Sequence, residues 1–347
     1  MHLQKMSNIL IGLDIGSSSI KAAQISRDKN NSMLLAAGYI ATPVRDISSM
    51  SEHDEQDLAN SINHLVHDMK VSNINVSASL PSSKVITRIV EMPAMNEKEL
   101  ASSIQWEAEQ YIPFPLTKVK LDYAVVSSNL ETQKMNVLLV AAPLSLIESY
   151  MRIITLSGLN PIALETEIMA IGRSVSISLP SISDVLIVSI GANSTDIALM
   201  HDQVLGYTKS YPIGGNNMTR AISEELGFEI AQAEEYKKTY GLEEDKLEGK
   251  IAKIISPYIN NLIEEMEKTV AFAKKTYVKA EISTVMITGA ASKLPGLVMS
   301  ITKNLGLDSQ LSNPFVNLNV DPKILPRLTE DAPIYTTSIG LALKEIS

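Results

Sequence analysis

Asp14, Lys21 and the run Ser17-Ser18-Ser19 between them are the first residues of this sequence whose types and spacing suit chemistry. They lie in ILIGLDIGSSSIKAAQI (Ile9–Ile25), where one apolar run ends at Asp14-Ile15-Gly16 and another resumes after Lys21. Two strand-like runs joined by small residues read as a β-hairpin with a tight turn. The turn exposes backbone N–H groups, three hydroxyls and one lysine, a set that suits a polyphosphate. Asp14, at the strand end, could hold a hydrated Mg2+ beside it. An ordinary hairpin, with its Asp and Ser side chains serving turn geometry alone, accounts for the same residues.

Two later stretches return to the theme. Val185–Ile190 is an apolar strand, Gly191-Ala192-Asn193-Ser194-Thr195-Asp196 a small polar turn, and Ile197–Met200 an apolar exit. The likeness of LIGLDIGSSSIKAAQI to LIVSIGANSTDIALM is an internal repeat, as two pseudo-symmetric lobes would need. Ile282–Thr288 is a third strand, followed by Gly289-Ala290-Ala291-Ser292-Lys293-Leu294-Pro295-Gly296. Small residues there would let a flat ring approach the backbone, or simply form a tight strand-to-helix turn. A helix over 165–177 carries Glu165 and Glu167 on its first turn, where carboxylates commonly complement the helix dipole. Gly214-Gly215 open a helix with Met218, Ile222 and Leu226 inward. The next helix, Ala231–Tyr240, places Glu234 and Lys237 as an exposed ion pair and stops at Gly241.

The elements that must position these groups fit an α/β chain. After the first hairpin, Met33–Thr42 reads as a strand. A helix then starts at Ser51, with Asp54 reaching back and Leu58, Ile62, Leu65 and Met69 inward. Asn75–Leu80 alternates as a strand and ends at Pro81. The segment 82–157 reads as an inserted βαββα unit with Pro-marked borders, the alternative being a continuation of the main sheet. It comprises strand Val85–Glu91, a helix capped by Asn96 and stopped by Ile112-Pro113-Phe114-Pro115, strands Lys120–Ser127 and Lys134–Ala141, and helix Leu144–Leu156. A short strand follows at Leu159–Ala163 and another at Val204–Pro212. A long helix runs from Glu248 to Lys279 with a kink at Pro257, and Ile334–Ile346 forms a last helix.

Composition narrows the function. The 347 residues are 45% hydrophobic and 20% charged, ordinary globular usage with room for two cores. A net charge of -9 without a basic run argues against nucleic acid. The lack of cysteine removes disulfides, thiolate metal sites and thiol nucleophiles, and fits a reducing cytoplasm. No apolar run reaches the roughly 18 residues of a membrane span, and MHLQKMSN has no signal-peptide core.

Three small-residue turns in this order, with an acidic helix start between the first two, resemble the actin-like ATPase superfamily. DIGSSSIK (Asp14–Lys21) is similar to its first phosphate loop, IGANSTD (Ile190–Asp196) to its second, and ITGAASKLPGL (Ile287–Leu297) to its adenosine motif. Within the superfamily the sequence resembles the PilM family of type IV pilus assembly proteins, relatives of the division protein FtsA. The deciding segments are VITRIVEMPAMNEKEL and IQWEAEQYIPFPL in 85–116, IGGNNMTRAI (Ile213–Ile222), AEEYKKTYG (Ala233–Gly241) and IYTTSIGLALK (Ile334–Lys344).

The resemblance implies an actin-like ATPase fold: two pseudo-symmetric lobes around a nucleotide cleft, with the βαββα subdomain inserted in the first. Its parts would be a first-lobe core of 1–81 with 158–180 and 335–347, the insertion 82–157, a second-lobe core of 181–216 with 281–334, and a helical subdomain 217–280. It also implies ATP and Mg2+ as ligands. Gly16, Ser17, Ser18, Ser19 and Lys21 would meet the phosphates from the first lobe, and Gly191, Asn193, Ser194 and Thr195 from the second, with Gly214 and Gly215 beside them. Glu234 and Lys237 would flank ribose and base, and Gly289, Ala290, Ser292 and Lys293 would line the adenine slot. Asp14 would organise Mg2+ through water, and Glu167 matches the position that orients attacking water. The second loop departs from the family pattern, since Ser189 stands where an aspartate usually opens it. A serine brings no second negative charge to the cation, so slow or absent turnover is expected.

The function implied is a cytoplasmic ATP-binding adaptor of the pilus inner-membrane platform. Its partner would be the N-terminal cytoplasmic tail of PilN, held in a groove beside the insertion near Arg88, Met92 and Pro93. Contacts with the pilus motor and platform proteins, and a homo-oligomer, are compatible with the same family. An FtsA-like division scaffold would continue into an amphipathic membrane helix, and a GspL-like secretion module would carry a transmembrane helix. Neither follows GLALKEIS, so membrane recruitment is expected through a partner. A sugar-kinase reading lacks a catalytic aspartate facing a second substrate pocket.

Overall fold

In the computed structural model, which describes residues 8–28, 31–43, 50–129, 132–277 and 280–345, the opening hairpin forms from β1 (Asn8–Ile15) and β2 (Ser19–Asp28). Strand β3 (Asn31–Ala41) pairs with β2, and β4 (Asn75–Leu80) runs parallel to β1. Between them lies α1 (Glu52–Asp68), which begins where Ser51 and Asp54 satisfy each other's backbone N–H in a capping box. Its Leu58, Ile62 and Leu65 pack onto the sheet.

The insertion follows as β5 (Ile86–Pro93), α2 (Glu97–Glu109), β6 (Val119–Asn129), β7 (Lys134–Pro143) and α3 (Leu144–Leu156). Its sheet, in the order β5-β7-β6, has a core of its own with Leu100, Ile104 and Ala108 of α2. The last helix of the expected βαββα unit packs elsewhere. Tyr150, Ile153 and Ile154 of α3 are buried with α1 in the first-lobe core. Amphipathic spacing shows that a helix has an inward face, not which sheet receives it. Within β5 the alternation turns Met92 into the insertion core, so it is not free to line a groove, whereas Arg88 and Pro93 are exposed.

Strand β8 (Asn160–Thr166) closes the first sheet, whose order is β3-β2-β1-β4-β8. After α4 (Glu167–Ser178) the pattern starts again with β9 (Val185–Ile190), β10 (Thr195–His201) and β11 (Val204–Tyr211). Helices α5 (Gly215–Leu226), α6 (Ile230–Tyr240) and α7 (Lys250–Thr276) come next, and α7 continues through Pro257. The expected start at Glu248 falls in a turn at φ 55°, and its expected end, Lys279, lies outside the described residues. Strand β12 (Thr284–Thr288), α8 (Leu297–Leu305) and β13 (Asp308–Leu311) complete a second sheet in the order β11-β10-β9-β12-β13. Strand for strand, the two sheets have the same order and directions, so the internal repeat is a repeat of topology.

After α9 (Leu325–Glu330) and a 3-10 turn at 332–335, the chain ends its described helices with α10 (Thr336–Ala342). The expected terminus of that helix, Ile346, lies outside the described residues. Helix α10 packs on the first sheet and α4 on the second, and the two helices meet between the lobes. Two glycines allow that closeness. A Cβ on Gly12 of β1 would sit 1.9 Å from the carbonyl oxygen of Ser338, and one on Gly340 would sit 1.9 Å from that of Ala170. Glu165, expected on the first helical turn, is instead in β8. There it takes Arg173 at 2.6 Å and Lys344 at 2.9 Å, tying α4 to the segment after α10. Burial raises its pKa, but those two cations outweigh burial and hold the carboxyl below its ordinary value. Among the described residues, no helix is long and apolar enough to cross a membrane.

Candidate functional site

The two hairpin turns are built alike. In the first, the Gly16 N–H donates to the Ser19 carbonyl at 3.1 Å; in the second, the Gly191 N–H donates to the Ser194 carbonyl at 2.8 Å. Each turn is braced from behind. The Thr42 hydroxyl donates to Gly16 O at 2.6 Å, and the Thr195 hydroxyl to Ile213 O at 2.6 Å. The start of α5 adds Gly215 N–H to Gly191 O and Asn216 N–H to Ala192 O. A Cβ on Gly214 would lie 2.6 Å from Ala192 O, so glycine is what lets the helix start beneath the loop. The third turn is stitched to the end of β9. Gly289 has φ 95°, and its Cβ would meet Ile190 O at 2.5 Å.

These turns face one another across a single cavity of about 80 Å³ between the lobes. Gly16, Ser17, Ser18 and Lys21 line it from the first lobe, Gly191, Asn193 and Ser194 from the second, and Gly289 and Ala290 from the third turn. Asp14 and Glu167 open into it as well. The amides of Ser17, Ser18, Ala192 and Asn193 have no backbone acceptor among the described residues. They can therefore receive an anion. Ligand pockets ordinarily span roughly 300–1,000 Å³. This one is smaller as it stands, with room for phosphate oxygens at the meeting of the turns.

The other expected residues form a supporting layer. The Ser19 carbonyl closes the first turn, and the Thr195 side chain is buried beneath the second. The Ser292 hydroxyl donates back to Gly289 O at 2.7 Å, and Lys293 pairs with Asp331 at 2.8 Å. Glu234 and Lys237 are not an exposed ion pair. Lys237 is buried and donates to Gly215 O at 3.0 Å, to the Thr219 hydroxyl at 2.8 Å and to Glu234 at 2.6 Å. Burial lowers the Lys237 pKa against the pull of Glu234. The lysine thus locks α6 to the start of α5, directly behind the second loop.

Sequence reasoning missed Asp196. Across each hairpin, residues pair in matching register: Asp14 faces Lys21 in the first, and Ser189 faces Asp196 in the second. Ser189 lacks a charge, but the strand opposite supplies one, and Asp196 lines the same cavity. The available signal was the register itself, since Asp196 closes the quoted turn at the position matching Lys21.

Three carboxylates, Asp14, Glu167 and Asp196, therefore converge with a single lysine. Lys21 lies 3.2 Å from Asp14, which also accepts from the Ser79 hydroxyl at 3.1 Å. Glu167, the first residue of α4, accepts the Ser82 N–H at 3.1 Å. Burial, then repulsion from Asp14 and Asp196, pushes its pKa up to about 8. Burial likewise pushes Asp196 up to about 6, against the nearby Ser210 and Ser82 hydroxyls, and its Oδ1 closes no well-directed hydrogen bond among the described residues. A buried carboxylate oxygen without a donor is costly, so the site is short of positive charge. Hard oxygen donors with that deficit fit Mg2+.

A pH dependence follows. Folded Glu167 keeps a proton that the unfolded chain, with its carboxyl near the ordinary 4.5, has released. Stability should therefore fall as pH rises from about 5 to about 8, by about 1 kcal/mol per pH unit for this group. Thermal melts at pH 5.5 and 7.5, without nucleotide or divalent ion, measure it. Glu167→Gln should reduce the difference between the two midpoints, and an unchanged difference would contradict the assignment.

Comparison with known proteins places this geometry. The family model described as type IV pilus assembly protein PilM matches residues 12–346. A chain of a PilM-PilN type IV pilus biogenesis complex is 27% identical, with 96% of this chain and 97% of that one covered and a TM-score of 0.84. The ethanolamine utilization protein EutJ from Carboxydothermus hydrogenoformans is 14% identical at TM-score 0.57, covering 98% of this chain and 93% of its own. MreB 5 of Spiroplasma citri bound to AMPPNP is 14% identical at TM-score 0.51, covering 96% and 94%. The last two likenesses establish the fold as that of actin-like ATPases.

Proposed function

The chain belongs to the family of type IV pilus assembly protein PilM, and from that premise we propose that it is a nucleotide-dependent adaptor for the N-terminal cytoplasmic tail of a PilN protein. The observation that carries this reading is the likeness, over nearly all of both chains, to a chain from a PilM-PilN complex. With no membrane-crossing helix among the described residues, the adaptor reaches the inner membrane through that partner.

In this reading the cleft takes ATP with Mg2+. Asp14 and Asp196 provide carboxylate oxygens for the hydrated cation, and Ser17, Ser18, Lys21, Asn193 and Ser194 face the phosphates. Gly289 and Ala290 present a flat backbone surface to the base. Bound Mg2+ supplies the positive charge that the three carboxylates lack. Turnover is slow or absent, although Asp196 restores the charge that Ser189 does not bring. Glu167, at the position that would orient water, already accepts the Ser82 amide, which takes up one of its oxygens. An acceptor so engaged is less free to draw a proton from water.

The test is direct. A fluorescent peptide of the PilN cytoplasmic tail encoded with this chain should bind saturably, with an affinity that changes when Mg2+ and ATP are added. No binding under either condition would overturn the adaptor reading.

A further inference from the structure

The insertion leaves the first sheet at one residue, Ser82, which opens a 3-10 turn at 82–84 directly after Pro81 ends β4. That buried residue has two attachments to the cleft. Its amide donates to Glu167 Oε2 at 3.1 Å. Its hydroxyl, after that of Ser210, lowers the Asp196 pKa against burial. Yet neither the hydroxyl nor Asp196 Oδ1 closes a well-directed hydrogen bond. Asp196 belongs to the second lobe, whereas Ser82 and the strand before it belong to the first.

The surroundings determine what can move. At the far end of the insertion, α3 is anchored in the first-lobe core by Tyr150, Ile153 and Ile154. The turn at 82–84 and β5 instead lie against β11, the edge strand of the second sheet. There Ile89, Ser127 and Asn136 face Val204, Leu205 and Tyr277 around a second small cavity of about 80 Å³. The insertion is thus firmly held at its exit and loosely packed where it meets the second lobe.

We propose that Ser82 is a positioning residue that makes the pose of the insertion depend on what occupies the cleft. A cation that recruits Asp196, or a nucleotide that parts the lobes, draws Asp196 from the Ser82 hydroxyl and changes the pull of Glu167 on the Ser82 amide. The turn then shifts, and β5 slides against β11. Coupling of this kind is a free energy shared between two sites, so it can be lost while each site still works. The inference rests on nucleotide binding in the cleft.

Hydrogen exchange followed by mass spectrometry on the full chain, with and without Mg2+ and ATP, tests it. In the wild type, nucleotide should protect both phosphate turns and also change exchange across 83–93. Ser82→Pro deletes both the amide hydrogen and the hydroxyl at a position whose backbone accepts proline: Pro81 has ψ 124°, and the residue opens a helical turn. That variant should retain protection of the phosphate turns and lose the change across 83–93. Ser82→Ala, which leaves the backbone undisturbed, should diminish the same change even if the proline variant fails to fold. An undiminished change in Ser82→Ala overturns the coupling role while leaving nucleotide binding intact. No protection of the phosphate turns in the wild type overturns both the nucleotide reading and the inference built on it.

Discussion

Asp14→Asn is expected to abolish the contribution of Mg2+ to nucleotide affinity. The side chain is buried at the end of β1, accepts from Ser79 at 3.1 Å and faces Lys21 at 3.2 Å. Asparagine has the same shape and can keep the Ser79 contact, so what is lost is the negative charge. A charge in a buried site contributes far more than one in water, and its removal from a cation site should cost about 100-fold or more in affinity, roughly 2.7 kcal/mol. The sign distinguishes this from general damage. Without Mg2+ the variant should bind ATP at least as well as the wild type, because Lys21 is freed from its counter-ion and one repelling carboxylate is gone. Titration calorimetry with Mg2+ and with EDTA reads both arms. An equal loss in each would mean that Asp14 acts only through folding.

Gly12→Ala should carry the largest penalty to stability. Strand β1, α10 and α4 stack backbone to backbone at the base of the cleft, and the added methyl would lie 1.9 Å from Ser338 O and 2.6 Å from Ala342 N. Both are main-chain atoms within a helix, so neither can move aside by changing rotamer. Overpacking typically costs about 1–3 kcal/mol and sometimes more, and here relief requires α10 to leave the sheet. Helix α10 carries Gly340, whose carbonyl accepts from Arg173 at 2.7 Å, so displacement also strains the ion pairs around Glu165. A loss of about 3 kcal/mol or more is expected, with the melting midpoint lower by roughly 6 °C or more. Gly227→Ala is the control: that glycine caps α5 at φ 67° with nothing within 4 Å of its Cβ position, so only the backbone term applies. A midpoint for Gly12→Ala no lower than that of Gly227→Ala would contradict the packing account.

Much of this architecture could be read from local rules. The Ser51 and Asn96 caps lie where a polar side chain precedes an apolar periodicity, and both form capping boxes. The repeated hairpin foretold the repeated sheet because matching strand patterns impose matching pairings. Misplacements arose where local pattern is blind to tertiary destination. Helix α3 has a clear apolar face, yet spacing does not reveal that it serves the first lobe rather than the insertion. Glu165 sits one residue before the end of β8, where helical and strand readings overlap, and its partners Arg173 and Lys344 come from α4 and the chain terminus. Lys237 looks exposed on a polar helix until α5 covers it.

The site itself was legible as three loops but not as a charge balance. Family likeness directed attention to Ser189 and to the aspartate it replaces. The compensating carboxylate, Asp196, becomes apparent only from the antiparallel register that sets it opposite. Ser82 carried no signal either. Its role depends on a hydroxyl, on a backbone amide, which every residue but proline possesses, and on a fold that brings them to the cleft carboxylates.

The central claim is that this cleft grips a nucleotide through main-chain amides and a cation held by Asp14 and Asp196. Calorimetric titration of ATP into the wild-type protein, with Mg2+ and then with EDTA, addresses it most directly. The account predicts one saturable site per chain whose affinity falls when the metal is removed. A folded protein that takes up no ATP at millimolar concentration with Mg2+ present would contradict it.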